Sequence, residues 1–215
     1  MAAMAESTPA APERLTLAAI VDAAAEIVAR DGFDGLSMRK LAGHCGVGAM
    51  TLYGYVATKD DLLAALADRF LSDVKLPRAR GAWDDQVVAV FRSVRSVVLE
   101  HPVLIRIVAA RRIHGTAAYR GAEIVFRALR TAGLSDEQVI SAFNALTSFT
   151  VGSAQRDIGI RAAAGAALPG IEALRPDQFG HVIDLAGLLA TRDPEQDFEA
   201  GLDLLITGIK GWRDA

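Results

Sequence analysis

The sequence predicts an all-α protein with a small N-terminal module and a larger helical body. Apolar residues recur at helical spacing along almost the whole chain, and no stretch of any length alternates apolar and polar residues as a β-strand does. Glycines, prolines and capping residues divide this pattern into segments of helical length. Hydrophobic residues make up 52% of the 215 residues, so the chain can bury a substantial core.

Capping residues delimit the first two helices. Thr16 is the predicted N-cap of a first helix that stops at Gly32. Ser37 is the predicted N-cap of a second helix, for which Leu36 and Leu41 occupy the two positions of a hydrophobic staple. The module therefore begins with two helices joined by a short connection.

A third and a fourth helix complete the N-terminal module. The segment Gly46–Gly48 interrupts the second helix, and a short third helix is predicted over 49–56. Thr58 and Asp61 form a capping box that opens a fourth helix, which Pro77 ends. The apolar stripe of this fourth helix consists of Leu62, Leu63, Leu66, Phe70 and Val74.

The body continues as helices with short connections. Ser135 and Gln138 form a second capping box, and Pro194 opens the last helix. Residues 159–175 are rich in alanine and glycine, which predicts a loose connection. The predicted helices of the body span 84–100, 103–114, 117–132, 136–157, 177–191 and 195–212. We therefore expect a flexible tail over 1–13, one domain over 14–76 and a second over 77–215.

Composition excludes several classes of protein. A net charge of −3 excludes binding to nucleic acid or membranes by bulk charge. The single cysteine, Cys45, cannot form an internal disulfide or a four-thiolate zinc site. The sequence contains no His-Glu-x-x-His motif and no nucleophile elbow. We therefore expect no metal site, no cofactor and no enzymatic activity. Because the N-terminus lacks the basic and apolar regions of a secretory signal, we expect a cytoplasmic protein without a membrane partner.

An acid-free segment lies inside this acidic chain. Between Ser37 and Lys59 there is no carboxylate, whereas Arg39 and Lys40 are basic. A surface that binds DNA phosphates needs such a segment, because carboxylates would repel the backbone. Two short helices joined by a glycine-containing turn form a helix-turn-helix, whose second helix fits the major groove.

The stretch LSMRKLAGHCGVGAMTLYGYVATKDDLLAAL resembles the DNA-binding domain of TetR-type transcriptional regulators. The matching features are Leu-Ser, a basic residue, Leu-Ala, Gly-Val, Thr-Leu-Tyr and a lysine followed by acids and Leu-Leu. In the body, GLSDEQVISAFNALTSFTVGSAQRD and DFEAGLDLLITGIKG are similar to the tetracycline-repressor branch. The resemblance implies a three-helix DNA-binding head with a helix-turn-helix and a larger helical domain for ligand binding and dimerisation.

The resemblance also implies roles for residues of the head. Met38 and the first turn of the second helix would meet DNA together with Arg39, and Tyr53 and Lys59 would contact phosphates. The implied DNA-binding residues are Ser37, Met38, Arg39, Lys40, Ala49, Met50, Thr51, Tyr53, Gly54, Tyr55 and Lys59. Because Ala49, Met50 and Gly54 offer no side-chain hydrogen bonds, direct readout would depend on Thr51, Tyr55, Arg39 and apolar contacts to thymine methyl groups. Cys45 is expected between the helices, with Leu41, Val47 and Leu52 in the core.

For the body, the resemblance implies an effector site and a homodimer. The expected ligand-binding residues are Phe91, Val94, Leu104, Val108, Arg112, His114, Val125, Phe126, Phe143, Leu146, Thr147 and Arg156. The positions that hold magnesium-chelate ligands in tetracycline repressors are Ala109, Arg112 and Arg156 here, so we expect an apolar or anionic organic effector instead. The helices near 136–157 and 195–212 carry apolar residues on more than one face, which favours an interface that includes Leu205 and Ile209.

The function implied is a repressor that binds an inverted-repeat operator as a homodimer and is released by a small organic effector. One alternative is a TetR-like activator or a regulator without an effector. Another is a helical ligand-binding protein or enzyme with a vestigial head.

Overall fold

The computed structural model describes residues 15–78, 80–109, 115–162 and 170–213, which contain ten α-helices and no β-strand. The helices are α1 (Leu17–Asp31), α2 (Met38–His44), α3 (Ala49–Tyr53), α4 (Lys59–Leu71), α5 (Trp83–Glu100), α6 (Val103–Ala109), α7 (Thr116–Thr131), α8 (Asp136–Ala162), α9 (Pro176–Thr191) and α10 (Pro194–Arg213). Short 3-10 helices add Phe33–Gly35 and Ile171–Ala173. The all-α prediction is confirmed.

The chain divides into two compact units, which we call the head and the body. The head extends to Leu66 and the body begins at Ala67. The predicted tail over 1–13 lies outside the described residues. None of the described helices combines the length and the apolar character that crossing a bilayer requires.

The predicted helix caps of the head are confirmed. The hydroxyl oxygens of Thr16 and Ser37 each accept a hydrogen bond from the backbone N–H three residues on, at 3.1 and 3.2 Å. The backbone N–H of Asp61 donates to Thr58 Oγ1 at 3.1 Å, and that of Thr58 donates to Asp61 Oδ2 at 3.0 Å. The core of the head includes Ile20, Ala24, Ile27, Leu36, Leu41, Leu52, Leu62 and Leu66, all fully buried or nearly so.

Four helices of the body, α5, α7, α8 and α10, enclose its main core. The predicted capping box at the start of α8 is confirmed: the N–H of Ser135 donates to Gln138 Oε1 at 2.9 Å, and that of Gln138 donates to Ser135 Oγ at 3.3 Å. The buried residues of this core include Val87, Val90, Phe91, Val125, Leu129, Val139, Leu146, Phe198, Leu202, Ile206 and Ile209.

Two helices end earlier than predicted. Helix α3 stops at Tyr53 instead of residue 56, because Gly54 follows as its C-cap and glycine is a poor helix former. Helix α4 stops at Leu71, so Val74 lies beyond it. The Ser72 hydroxyl donates to a backbone carbonyl at 2.6 Å, a local bond that competes with helix continuation.

One helix is longer than predicted. Helix α8 reaches Ala162, so the first part of the expected loose connection over 159–175 is helical. Arg161 and Asp157 form an ion pair at 2.7 Å, and such a pair one turn apart stabilises a helix. The predicted residues 110–114 of the sixth helix and 163–169 of the connection lie outside the described residues.

Candidate DNA-binding face and effector cavity

Helices α2 and α3 are joined by a tight turn. Gly46 has a φ of +67°, a backbone conformation that favours glycine. The N–H of Cys45 donates to the Leu41 carbonyl at 2.9 Å, and that of Val47 donates to the Ala42 carbonyl at 3.0 Å. These bonds end α2 and begin the turn, so the two helices form the predicted helix-turn-helix. Cys45 is half-buried in the turn, and burial raises the pKa of its thiol.

The short helix α3 has one buried and one exposed face. Leu52 is fully buried, and Val56, just beyond the helix, is buried with it. These two residues fix the orientation of α3, because their side chains belong to the core of the head. The predicted contact residues on the other side are all exposed: Ala49, Met50, Thr51, Tyr53, Gly54 and Tyr55.

The basic residues of the acid-free segment differ in their partners. Arg39 is exposed and has no ion-pair partner in the described part of the chain. Lys40 pairs with Asp31 at 2.9 Å. Hydrogen bonds from Arg30 and, second, from Lys40 lower the pKa of Asp31 to about 2. Arg39 is therefore the basic side chain of α2 whose charge is not already matched by a carboxylate.

Lys59 lies close to the start of α2. Its ammonium group donates to the Leu36 carbonyl at 2.9 Å and lies 5.7 Å from the centre of the Phe33 ring. An ammonium group has three donors, so this bond leaves two of them for a phosphate. Ser37 begins α2 next to this lysine, and Met38 is half-buried.

Sequence reasoning missed two pairs between acidic residues of α1 and residues of α2. Glu26 on α1 accepts a hydrogen bond from His44 Nε2 at 3.0 Å, and Asp31 on the same helix matches Lys40. Helical periodicity marks these acids only as exposed positions of α1. His44 and Lys40 lie on α2, so only the packing of α1 against α2 reveals these two pairs.

The body contains an apolar cavity of about 110 Å³. Five predicted ligand-binding residues line it, namely Phe91, Val94, Val125, Phe143 and Thr147. Sequence reasoning missed the remaining residues of the wall, which are Leu71, Val74, Val90, Ala117, Ala118, Gly121 and Ala122. The small residues of α7 recur one turn apart, which could have indicated a face that leaves space.

Other predicted ligand-binding residues lie around the cavity or elsewhere. The Phe126 ring packs edge-on against Phe143, with the ring centres 4.9 Å apart. Leu104 and Leu146 are fully buried, and Val108 is half-buried. Arg112 and His114 lie outside the described residues.

The structure places Arg156 apart from the cavity wall. Its guanidinium donates to Asp197 at 2.9 Å, and both residues border a separate surface pocket with Arg192. Arg192 also donates to Asp197. The hydrogen bond from Arg192 is the largest cause that lowers the pKa of the Asp197 carboxyl group, and the hydrogen bond from Arg156 lowers it further. Within the described ranges, no group of three or more His, Cys, Asp or Glu side chains is placed to hold a metal ion.

Asp68 links the end of α4 to the start of α7. The N–H of Ala117 donates to Asp68 Oδ1 at 2.7 Å, and the carboxylate leaves no room for a side chain at Gly115. Leu71 and Val74, which follow Asp68 in the sequence, belong to the cavity wall. The contact therefore fixes one wall of the cavity.

An ion cluster, which we define as Arg95, Asp157, Glu195 and Arg161, connects α5, α8 and α10, with Arg95 and Asp157 buried at its centre and the other two side chains exposed. The Arg95 guanidinium donates to Asp157 at 2.9 Å and also to Glu195. Arg95 and Asp157 are only 3% and 1% exposed. The Arg95 guanidinium also lies 4.7 Å from the centre of the Phe198 ring.

A groove between α8 and α10 contains both predicted dimer residues. It measures about 270 Å³ and is lined by Ala142, Ala145, Leu204, Leu205, Gly208, Ile209 and Trp212. Ile209 is buried in the core of the body, and Leu205 is half-buried. Leu204 is 73% exposed, and Trp212 is also exposed. Sequence reasoning missed these two residues, which present more apolar surface to solvent.

Known proteins match both units of the chain. The family model "Bacterial regulatory proteins, tetR family" matches residues 20–66, and "Tetracyclin repressor-like, C-terminal domain" matches residues 76–212. A curated "HTH-type transcriptional regulator" from Saccharopolyspora erythraea is 33% identical over 204 residues, which cover 91% of this chain and 84% of that protein. A curated "HTH-type transcriptional repressor" from Streptomyces coeruleorubidus is 34% identical over 67% of this chain and 54% of that protein.

Solved structures show the same similarity. Apo ActR from Streptomyces coelicolor has a TM-score of 0.86 and 32% sequence identity over 95% of this chain and 99% of that one. ActR has also been crystallised in complex with actinorhodin, and that structure has a TM-score of 0.83 at 32% identity over 94% of this chain and 99% of that one. Both domain matches, the relatives and the helix-turn-helix show that this chain belongs to the TetR family of DNA-binding transcriptional regulators.

Proposed function

We propose that this protein is a ligand-responsive repressor that binds an inverted-repeat operator as a homodimer and is released by a small organic effector. The observation that carries the proposal is the occurrence in one chain of an exposed, acid-free α3 face and an apolar cavity in the body. The first can bind DNA, and the second can bind an apolar molecule.

The head supplies the elements for operator binding. Ser37 and Lys59 lie where the first turn of α2 offers backbone N–H groups, which favour a phosphate. Thr51 and Tyr55 would contact base edges, and Arg39 would contact a guanine or a phosphate. Each subunit would bind one half-site, with half-sites about 34 Å apart on one face of the duplex.

The α8/α10 groove supports dimerisation. Leu204 and Trp212 present apolar surface beside small residues of α8, which would allow a second copy to approach closely. A two-fold symmetric contact uses the same surface on both subunits, as an inverted repeat requires. The groove is therefore the proposed centre of the interface.

The cavity wall favours an effector with an apolar body. Phe91 and Phe143 would pack against it, and Thr147 is the only wall residue in the described ranges with a polar side chain. Drug-sized ligands occupy roughly 300–1,000 Å³, so such an effector would have to widen a cavity of about 110 Å³. ActR has been crystallised in complex with actinorhodin, which supports a small-molecule effector for this chain as well. Arg112 remains the predicted contact for an anionic group.

Release of DNA requires that the effector bind the non-DNA-binding state more tightly. A hundredfold preference corresponds to about 2.7 kcal/mol per site, which suffices for release from a dimer with two sites. Helix α4 provides a covalent route, because Leu62 belongs to the core of the head and Leu71 to the cavity wall.

Footprinting on the DNA that flanks its own gene tests operator binding and assembly together. We expect protection of two symmetric half-sites by the wild-type protein and a dimer in sedimentation. The Leu204→Asp variant should be a folded monomer that does not protect the operator, because Leu204 is exposed in the subunit. Protection of a single unsymmetrical site, or a dimeric and active Leu204→Asp variant, would contradict the proposal.

A panel of aromatic acids, their neutral analogues and magnesium–tetracycline tests the effector. We expect organic aromatic compounds to raise the melting temperature and to release the operator. Release by magnesium–tetracycline alone would show that the proposed effector class is wrong.

A further inference from the structure

Met50 is the most exposed large apolar side chain in the described ranges, with 83% of its surface accessible. It is the second residue of α3, and its neighbour Leu52 is fully buried. The core therefore fixes the backbone of α3, while the Met50 side chain projects from the exposed face. An exposed methionine elsewhere on the surface needs no explanation, but on the proposed groove-facing surface its side chain would face the base edges of DNA.

We infer that Met50 contacts the C5-methyl group of a thymine in the major groove and makes that base pair a determinant of operator preference. This inference rests on the proposed function, since it concerns the same DNA-binding face. The thymine methyl group is the apolar element among the base edges of the major groove. A thioether side chain cannot match the hydrogen-bonding edges of the other bases but can pack against a methyl group.

The neighbours of Met50 restrict what this face can recognise. Glutamate and aspartate are the side chains that accept from the cytosine amino group, and there is none between Ser37 and Lys59. Ala49 and Gly54 have no side-chain donor or acceptor, so hydrogen bonds must come from Thr51, Tyr55 and Arg39. An apolar contact at Met50 is therefore a larger share of the readout than it would be on a face rich in amides and acids.

The flexibility of methionine suits this role. Its three rotatable bonds let the side chain adapt to the position of a methyl group without movement of the backbone. Because Met50 is exposed, the contact would bury apolar surface of both partners at the moment of binding. The free energy gained from this burial would therefore stabilise only the protein–DNA complex.

The test uses the full-length protein and labelled duplexes of the footprinted operator. Each thymine is replaced, symmetrically in both half-sites, by deoxyuridine, which lacks the methyl group and keeps the hydrogen-bonding edge. We expect one position at which the wild-type dissociation constant rises about fifteenfold, or about fourfold per half-site, as loss of one buried methyl group predicts. Met50→Ala should bind the thymine and deoxyuridine operators at this position equally, and Met50→Leu should retain most of the difference.

The control for folding is the melting temperature, which should not change because Met50 is exposed. A wild-type protein that binds every deoxyuridine operator as tightly as the original would overturn the inference, as would a half-site without thymine. A Met50→Ala variant that keeps the full thymine preference would overturn it too. In each of these cases operator binding itself would persist, whereas a protein that protects no DNA would overturn the proposed function as well.

Discussion

The first half of α8 packs around an apolar cavity, whereas its second half contributes Asp157 to the buried ion pair at the centre of the ion cluster. Phe143 and Thr147 line the cavity, and Asp157 pairs with Arg95 about three turns later. Atoms around a cavity lack part of their dispersion contacts, so side chains there can shift at low cost. The buried pair behaves differently, because separation of Arg95 and Asp157 would leave each charge with only a largely exposed partner, Glu195 or Arg161.

The difference between the two halves assigns them different roles. The cavity half can adapt to an effector, and α5 and α7 face it from the other sides. The charged half holds α5 against α8 and the start of α10 through Arg95. We therefore expect an effector to change the structure at the cavity half, while the packing of α5, α8 and α10 around Arg95 stays unchanged.

Asp157→Ala should have the largest effect on stability. The substitution removes the buried carboxylate that pairs with the Arg95 guanidinium and leaves this buried charge with Glu195, whose side chain is 60% exposed. We expect the free energy of unfolding to fall by about 3–5 kcal/mol, as for other broken buried pairs. Denaturant unfolding followed by circular dichroism measures this.

Arg161→Ala provides the matched control for this cluster. Arg161 bonds the same carboxylate, but its side chain is 72% exposed. We expect a much smaller loss of stability than for Asp157→Ala, because solvent screens an exposed ion pair. If both variants lost the same stability, burial of the pair would not be what holds this half of α8.

Ala118→Leu should act on the cavity half. The larger side chain would occupy space that the effector needs, so we expect effector affinity to fall about tenfold or more. Calorimetric titration measures the affinity, and the operator should remain bound at effector concentrations that release the wild-type protein. Ala173→Leu, on an exposed 3-10 helix, is the control. Unchanged effector affinity in Ala118→Leu would place the effector site elsewhere.

Thr150→Val should stabilise the protein by about 1 kcal/mol. Thr150 is fully buried at the boundary between the two halves, and its hydroxyl group has no hydrogen-bond partner among the residues that the structure describes. Removal of a buried, unpaired hydroxyl group eliminates a desolvation cost. Thr147→Val, on the half-buried cavity wall, should change stability less. A loss of stability in Thr150→Val would contradict this expectation.

Asp31 is the exposed counterpart of the ion cluster and should show the smallest effect. Its pKa is lowered from 3.8 to about 2, so its stabilising contribution is present above pH 3.8 and is lost as the pH falls towards 2. Arg30→Ala should raise this pKa more than Lys40→Ala, because Arg30 is the larger cause. An NMR titration of the Asp31 carboxyl group measures this pKa. An unchanged pKa in both variants would contradict the prediction.

The sequence predicts the head better than the body because the signals of the head are local. Ser37, Gly46 and Leu52 each act within a few residues, through a cap, a turn and a buried helix position. The exposed residues of α3 follow directly from these. The shorter α3 could also have been predicted, because Gly54 is visible in the sequence.

The ion cluster and the exposed part of the α8/α10 groove could not be predicted from local signals of this kind. Arg95 and Asp157 are 62 residues apart, and each alone is typical of a solvated helix position. Leu204 and Ile209 both belong to an apolar pattern on α10, and only the packing shows that Ile209 is buried while Leu204 is exposed. Helical periodicity shows which face of a helix is apolar, but it does not show which distant helix packs against that face.

Operator affinity of two threonine variants tests the central claim, that the exposed face of α3 binds DNA. Thr51→Glu places a carboxylate on this face, and Thr131→Glu places the same charge on an exposed position of α7. With fluorescence anisotropy on the footprinted operator, we expect Thr51→Glu to bind about 100-fold more weakly or worse and Thr131→Glu to bind as the wild type does. Equal operator affinity of the wild type and a folded Thr51→Glu variant would contradict the account.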